Sequence, residues 1–272
     1  MAFLRYAKSH EQLAEARAAG PGFLRSEVRS IRAIYETDPE LIAALLPRPL
    51  EPAARPEVHV IVSDVTIHLP GDMTFPLGAG TFGVTCRCDG VEGLYPITMP
   101  MTTEGAVVAG REIYGEPKKL AEITLTEEDG VQVGRITRMG ITYVELRGRP
   151  LREQKPTSRT DRAYTFKVLP SPPPAQGFDA DPLLCELEWK LAMTKSTVLE
   201  GEVLLSDSPF DPVADLPVRK LVTLELEVSD VESGGKVLRP VKGEWLLPFL
   251  HQRYDDPMFQ GLEVAVASEK AA

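Results

Sequence analysis

Proline is the feature that most narrows what this chain can form. There are 24 prolines in 272 residues, well above the average of about 5%. Each removes a backbone donor and fixes φ, which interrupts long helices and suits strands joined by turns and loops. Short apolar or β-branched runs fill the intervals. VHVIVSDVTIHL (58–69) reads as one or two strands, and GTFGVTCRC (80–88) follows a turn-rich stretch. AVVAG (106–110) and AEITLTEE (121–128) also read as strands, and VQVGRITRMG and ITYVELRG meet at Gly140 as a hairpin or bulge. Later strands are expected at AYTFKVL, LLCELEWKLAM, EVLLS, KLVTLELEVS and VLRPVKGEWLL. Two helices stand out. One is a short amphipathic helix over 8–19. The other is capped by Asp38, with Pro39 at its first position and ELIAALL following.

The pattern is mainly β, a β-rich α+β chain without the strict βαβ alternation of a Rossmann or TIM architecture. SPPPAQGFDADP (171–182) is the best linker candidate, yet it is short enough for a loop. The expected organisation is one domain over 1–272, with a helical N-terminal extension over 1–20 and a C-terminal tail over 255–272.

Forty acids against 30 bases give a formal charge of −10. That field opposes nucleic-acid backbones and anionic membrane surfaces, so neither is expected as a partner. No apolar run approaches the roughly 18 residues of a membrane span. The first 20 residues are studded with charge, and the expected location is the cytoplasm. Three cysteines, an odd number, suit a reducing compartment. Cys86 and Cys88 would share one strand face as small half-buried residues rather than zinc ligands. The four histidines are scattered and no HExxH occurs, so no metal is expected. The GxSxG elbow, the phosphate-binding GxxxxGK[ST] loop and GxGxxG are all absent.

One segment stands apart, AGREIYGEPKKLAEITL (109–125). A Gly-x-Pro turn here sets Lys118 and Lys119 at the start of an apolar strand. Such a pair can be a solvated edge that protects the strand from aggregation. It can also hold a lysine nucleophile whose amine burial or a neighbouring cation keeps neutral. In a regular strand the two side chains would point to opposite faces.

GREIYGEPKKLAE closely resembles the active-lysine segment of the acetoacetate decarboxylase superfamily. YETDPELIAALLPRPLEP (35–52), FKVLPSPP with LLCEL (166–173, 183–187) and DPVADLPVRKLV (211–222) resemble further family segments, in the same order. The resemblance implies a closed antiparallel β-barrel or cone with a few short helices and an apolar cavity. By the same resemblance Lys118 matches the Schiff-base lysine. Lys119 matches the adjacent lysine credited with keeping it neutral, acetoacetate decarboxylase being the standing example of such activation. No cofactor is implied, because the iminium is itself the electron sink, and a homo-oligomer is implied.

Two departures bear on the chemistry. The family's Arg-Glu pair before the first helix has no clean counterpart in SEVRSIRAIY, where Arg29 or Arg32 is the candidate. The acid that the decarboxylases carry ahead of GRE is missing from FPLGAGTFGV (75–84). The expected activity is therefore a carbon–carbon lyase acting on small oxo acids through an imine on Lys118. The leading reading is a pyruvate-type aldolase-dehydratase with an aldehyde co-substrate. The alternative is a 3-oxo acid decarboxylase, and a rival of another class is a non-catalytic ligand-binding barrel. Glu116 is the candidate proton shuttle and Lys119 its catalytic companion. Arg111, Tyr114, Tyr254 and Arg29 are the candidate substrate-binding residues.

Overall fold

The computed structural model describes residues 4–18, 24–69, 71–172, 177–255 and 261–267. Twelve strands, numbered in chain order, join one sheet. They are β1 (Leu24–Glu36), β2 (Glu51–Pro52), β3 (Glu57–Leu69), β4 (Met73–Cys88), β5 (Val91–Met101) and β6 (Lys118–Leu120). The rest are β7 (Glu122–Glu128), β8 (Val131–Arg138), β9 (Ile141–Gln154), β10 (Ser158–Lys167), β11 (Leu183–Leu205) and β12 (Lys220–Pro240).

The order β10-β5-β4-β3-β1-β12-β11 returns to β10, so these seven strands close on themselves and leave no free edge. Every pairing around the ring is antiparallel except β5 with β10, a parallel contact of one pair, Ala163 with Leu94. That contact is the seam of the ring. Further along β5 the partner is β6, which is parallel and three residues long.

Strand alternation assigns the two faces of the ring. One face of β1, β3 and β4 carries Ile31, Ala33, Val58, Val60, Val62, Phe82 and Val84, all fully buried. It packs against Ile136, Val144 and Leu146 of β8 and β9. These strands continue from the second half of β11 and form an outer layer. On β11 and β12 the same face carries Glu186, Glu188, Lys190 and Lys236 at the molecular surface. This is the outside of the ring. The opposite, inner face carries Ser30, Ser63, Glu227 and Ser229, polar and buried. The inner face mixes these polar groups with buried apolar ones, among them Leu77, Met99, Met101, Leu187 and Val231.

Several local expectations change. AVVAG lies in helix α3 (Glu104–Ile113), not in a strand. The N-terminal helix α1 spans His10–Ala18 and buries no residue, so it has no apolar face against the body. Helix α2 (Pro39–Leu45) starts where expected, but Asp38 makes no capping hydrogen bond. Its carboxylate instead accepts from Arg219 at 2.9 to 3.2 Å. LLCELEWKLAM and EVLLS form a single 23-residue strand. The run 237–247 divides between the end of β12 and a 3₁₀ turn at Gly243–Trp245. The β8–β9 hairpin turns at Met139 and Gly140, with φ of 48° and 78°, the left-handed pair of a tight two-residue turn. Residues 173–176 of the linker candidate and most of the tail after 255 lie outside the described residues.

Candidate active site

Helix α3 lies against β5, β6 and β10 and brings the chain to the seam. Its last turn ends at Tyr114, and Gly115 follows at φ 69°. A Cβ on Gly115 would run into the backbone of Phe166 and Lys167, so only glycine fits where the loop crosses β10. Glu116 then donates its N–H to Gly110 O at 3.1 Å, and Pro117 O accepts from Met99 N at 3.0 Å. These contacts dock the loop beside β5 and start β6 at Lys118, paired with Met99.

Met99 and Met101 belong to the inner face of the ring, since Met101 pairs with Ala79, itself opposite Ser63. Lys118 joins them there. Its Nζ lies 3.1 Å from Glu116 Oε2, with the two side chains 14% and 9% exposed. Gly110 makes room for this pair, because a Cβ there would collide with Lys118 Cδ and Glu116 Oε2. The result is an enclosed amine beside a single carboxylate.

Lys119 points outward. Its Nζ reaches Asp211 Oδ1 at 3.1 Å, Asp255 Oδ1 at 3.2 Å and Phe210 O at 2.8 Å. Arg138 completes this buried cluster by bonding Asp211, Asp255 and Leu120 O. Burial raises the Asp255 carboxyl, but hydrogen bonding to Arg138 and the charge of Lys119 outweigh it, and the net direction is down. Lys119 is therefore held by two carboxylates on the face away from Lys118.

The other candidates are dispersed. Arg111 donates from Nη1 to Lys118 O at 3.1 Å and to Arg253 O at 3.0 Å. Its guanidinium also lies 5.7 Å from the centroid of the Tyr254 ring. Tyr254 is 44% exposed and belongs to the outside of the seam. Tyr114 donates its hydroxyl to Gly235 O at 3.2 Å, and its carbonyl accepts from Thr165 Oγ1 at 2.7 Å. Arg29 points outward, toward Gln132 Oε1 at 2.7 Å and Asp64 at 3.7 Å, and so does not share a face with Lys118.

The inner face instead carries Arg32, with Nη2 3.3 Å from His59 Nδ1. Arg159 holds Glu227 through two bonds of 2.7 and 2.8 Å and Asp161 at 3.0 Å. Burial, followed by the Arg32 charge, pushes the His59 imidazole down to about 3, so it is neutral. Arg32 is the nearer fit to the arginine sought in SEVRSIRAIY, for it faces the interior that Arg29 does not. Arg138 and Arg253 had no signal of their own in the sequence, and nothing there tied Asp211, at the head of DPVADLPVRKLV, or Asp255, one of two adjacent acids, to the lysines.

Two openings lie elsewhere on the ring, and neither is lined by Lys118 or Glu116. A cavity of about 30 Å³ lined by Gly115, Pro117, Phe166, Phe249 and Arg253 lies outside the seam and is too small for an oxo acid. A groove of about 770 Å³ opens at the far end of the ring, lined by Ser26, His68, Arg159, Leu191 and Val231 among others. Burial pushes the Cys86 thiol up to about 12, and all three cysteines are free and buried. Among the described residues no group of side chains is arranged to hold a metal ion. Nor is any described helix long and apolar enough to cross a membrane.

The chain is thus a ring of seven strands closed by a short parallel seam, with a lysine–glutamate pair on its inner side. The sequence profile described as acetoacetate decarboxylase (ADC) matches residues 11–241, and the chain belongs to that family. A relative from Paraburkholderia phytofirmans named acetoacetate decarboxylase is 29% identical over 220 residues, covering 74% of this chain and 79% of its own. The crystal structure of acetoacetate decarboxylase from Legionella pneumophila superposes with a TM-score of 0.66 at 23% identity, covering 80% of this chain and 87% of that one. The enduracididine biosynthesis enzyme MppR has also been solved with the condensation product of pyruvate and imidazole 4-carboxaldehyde. It superposes with a TM-score of 0.67 at 18% identity, covering 80% of this chain and 90% of that one. The last two likenesses are likenesses of fold.

Proposed function

We propose that this protein is a Schiff-base lyase acting on small oxo acids through Lys118. The observation that carries this reading is the enclosed Lys118–Glu116 pair, 3.1 Å apart, beside a Lys119 already committed to two carboxylates. Glu116 takes the ammonium proton, and the free amine adds to the substrate carbonyl. The proton returns to the carbinolamine hydroxyl, which leaves as water, and the iminium draws electrons from the adjacent carbon.

The leading chemistry is pyruvate aldol condensation with an aldehyde, followed by dehydration. The pyruvate imine loses a C3 proton to give an enamine, which attacks the aldehyde. Loss of water then gives an unsaturated iminium, and a water molecule hydrolyses it to release the unsaturated oxo acid and the Lys118 amine. One support is the inner face of β4, where Leu77, Ala79, Thr81 and Gly83 offer no acid to press against a substrate carboxylate. Another is MppR, similar in fold and complexed with such a condensation product. Decarboxylation of a 3-oxo acid is the second reading, because Glu116 brings a carboxylate to the lysine from the other side of the seam. A ligand-binding barrel without catalysis fits less well, since its lysine would be exposed and Lys118 is 14% exposed. A homo-oligomer belongs to the same reading and is checked by light scattering.

Borohydride reduction with pyruvate should leave a stable adduct at residue 118, lost in Lys118→Ala. Glu116→Gln should slow turnover by about 10²–10⁴-fold. Pyruvate with an aldehyde should yield conjugated product, and acetoacetate should release little CO2. Efficient, Lys118-dependent CO2 release would reinstate the decarboxylase, and no adduct with any oxo acid would sink the imine.

A further inference from the structure

Lys118 stands at the weakest place in the ring. Below it the seam is one residue pair, Ala163 with Leu94, and beside it β6 offers only three residues. Ladder hydrogen bonds alone leave this segment poorly fixed. Three consecutive residues near the C-terminal end of the chain meet it from outside. Arg253 donates from Nη1 to Gly115 O at 3.0 Å and to Phe166 O at 3.1 Å, joining the lysine loop to β10 across the seam. The Arg253 carbonyl shares Arg111 Nη1 with Lys118 O, at 3.0 and 3.1 Å. Tyr254 lies under the Arg111 guanidinium, and Asp255 bonds Lys119 at 3.2 Å and Arg138 at 2.8 Å. Gly115, Lys118, Lys119 and Leu120 are thus each bonded either to this tripeptide or to a side chain it holds.

Arg253 itself has no carboxylate within 4 Å among the described residues, although it is partly buried. Burial and then the Arg111 charge push it down to about 10, so it still carries its charge at neutral pH. Drawing a guanidinium partly out of water for two carbonyl bonds is costly, and a loop with no structural role would not need it. The tripeptide also lies beyond residue 241, where the family profile stops.

We infer that Arg253–Tyr254–Asp255 is a clamp that positions Lys118, with Arg253 as its principal positioning residue. The identity of the nucleophile rests on the function proposed above; the clamp itself does not. Its chemical role is orientation, since a displacement of about 1 Å in a reacting group can cost about a hundredfold in rate.

The test compares wild-type protein with Arg253→Gln, Arg253→Lys and Asp255→Asn by two measurements. The first is single-turnover pyruvate trapping under borohydride. Arg253→Gln is expected to trap at least tenfold more slowly at saturating pyruvate, with a half-saturating concentration within about twofold of wild type. Arg253→Lys should recover part of the rate, and Asp255→Asn should lie between. The second measurement is amide hydrogen exchange over residues 115–120, which needs no chemistry at the lysine. Exchange there should accelerate at least tenfold in Arg253→Gln while β1 and β3 stay protected. Unchanged exchange in 115–120, or loss of protection throughout the ring, overturns the clamp. Trapping at the wild-type rate in Arg253→Gln overturns it too. A wild type that never traps pyruvate, with exchange in 115–120 still dependent on Arg253, strikes down the proposed chemistry and leaves the clamp standing.

Discussion

A single peptide bond separates the two lysines, and strand alternation sends them to opposite sides of the ring wall. Lys118 faces a carboxylate inside, while Lys119 meets Asp211 and Asp255 outside. A cation so engaged neutralises acids on its own side and adds little field at its neighbour's amine. This opposition was legible from the spacing alone. Its partners were not, because Asp211, Asp255 and Arg138 lie 92, 136 and 19 residues from Lys119 and only the folded sheet brings them together. Lys119→Met should leave imine formation on Lys118 within reach of wild type but leave the buried Asp211 carboxylate with Arg138 as its one cationic partner. The expected loss is about 3 kcal/mol of unfolding free energy by denaturant titration. Gly110→Ala should do the reverse. The added methyl meets the flexible ends of Lys118 and Glu116, while alanine favours the helix by up to about 1 kcal/mol. Stability should hold or rise, and pyruvate trapping should fall at least tenfold. Normal trapping in Gly110→Ala would mean the pair has room to spare.

Elements were read well where period-two alternation was strong, as along β3, β8 and β9. They were misread where tertiary packing overrode propensity. Ala-Val-Val-Ala-Gly favours a strand locally, yet it turns as helix α3 because the chain must cross from the end of β5 to the β10 edge within 13 residues. The helix is what delivers Gly110, Arg111 and Tyr114 to one place. β6, at three residues, was invisible as a separate strand inside LAEITL and its lysines. Its placement depends on Gly115, whose positive φ and missing Cβ let the loop pass the backbone of β10. Gly115→Ala should therefore cost about 3 kcal/mol or fail to fold, with the clash falling on backbone that cannot swing aside. A melting temperature within 2 °C of wild type would show that the loop re-routes with little strain.

For the molecule as a whole, the charged cluster inside the ring is the least legible feature. Strand patterns announced which residues alternate but not which face would be lumen, because both faces carry buried residues. Arg32, His59, Arg159, Asp161 and Glu227 come from β1, β3, β10 and β12 and meet only when β10 closes onto β11. Their arrangement predicts an acid response. Desolvation by burial and then the Arg32 charge hold His59 at a pKa of about 3, against 6.5 in the unfolded chain. Between those values the unfolded chain binds a proton that the folded chain refuses. This contribution is complete above pH 6.5 and is lost as pH falls toward 3. From pH 7 to pH 5 it should amount to roughly 2 kcal/mol of lost stability. Urea titrations of wild type and His59→Asn at pH 7, 6 and 5 isolate it, since most carboxylates remain ionised across that range. The wild type should lose stability stepwise. His59→Asn, with no proton to take up at this position, should be flatter by about that amount. Parallel slopes for the two proteins would mean that the ring admits a charged imidazole and that its interior is wetter than its packing implies.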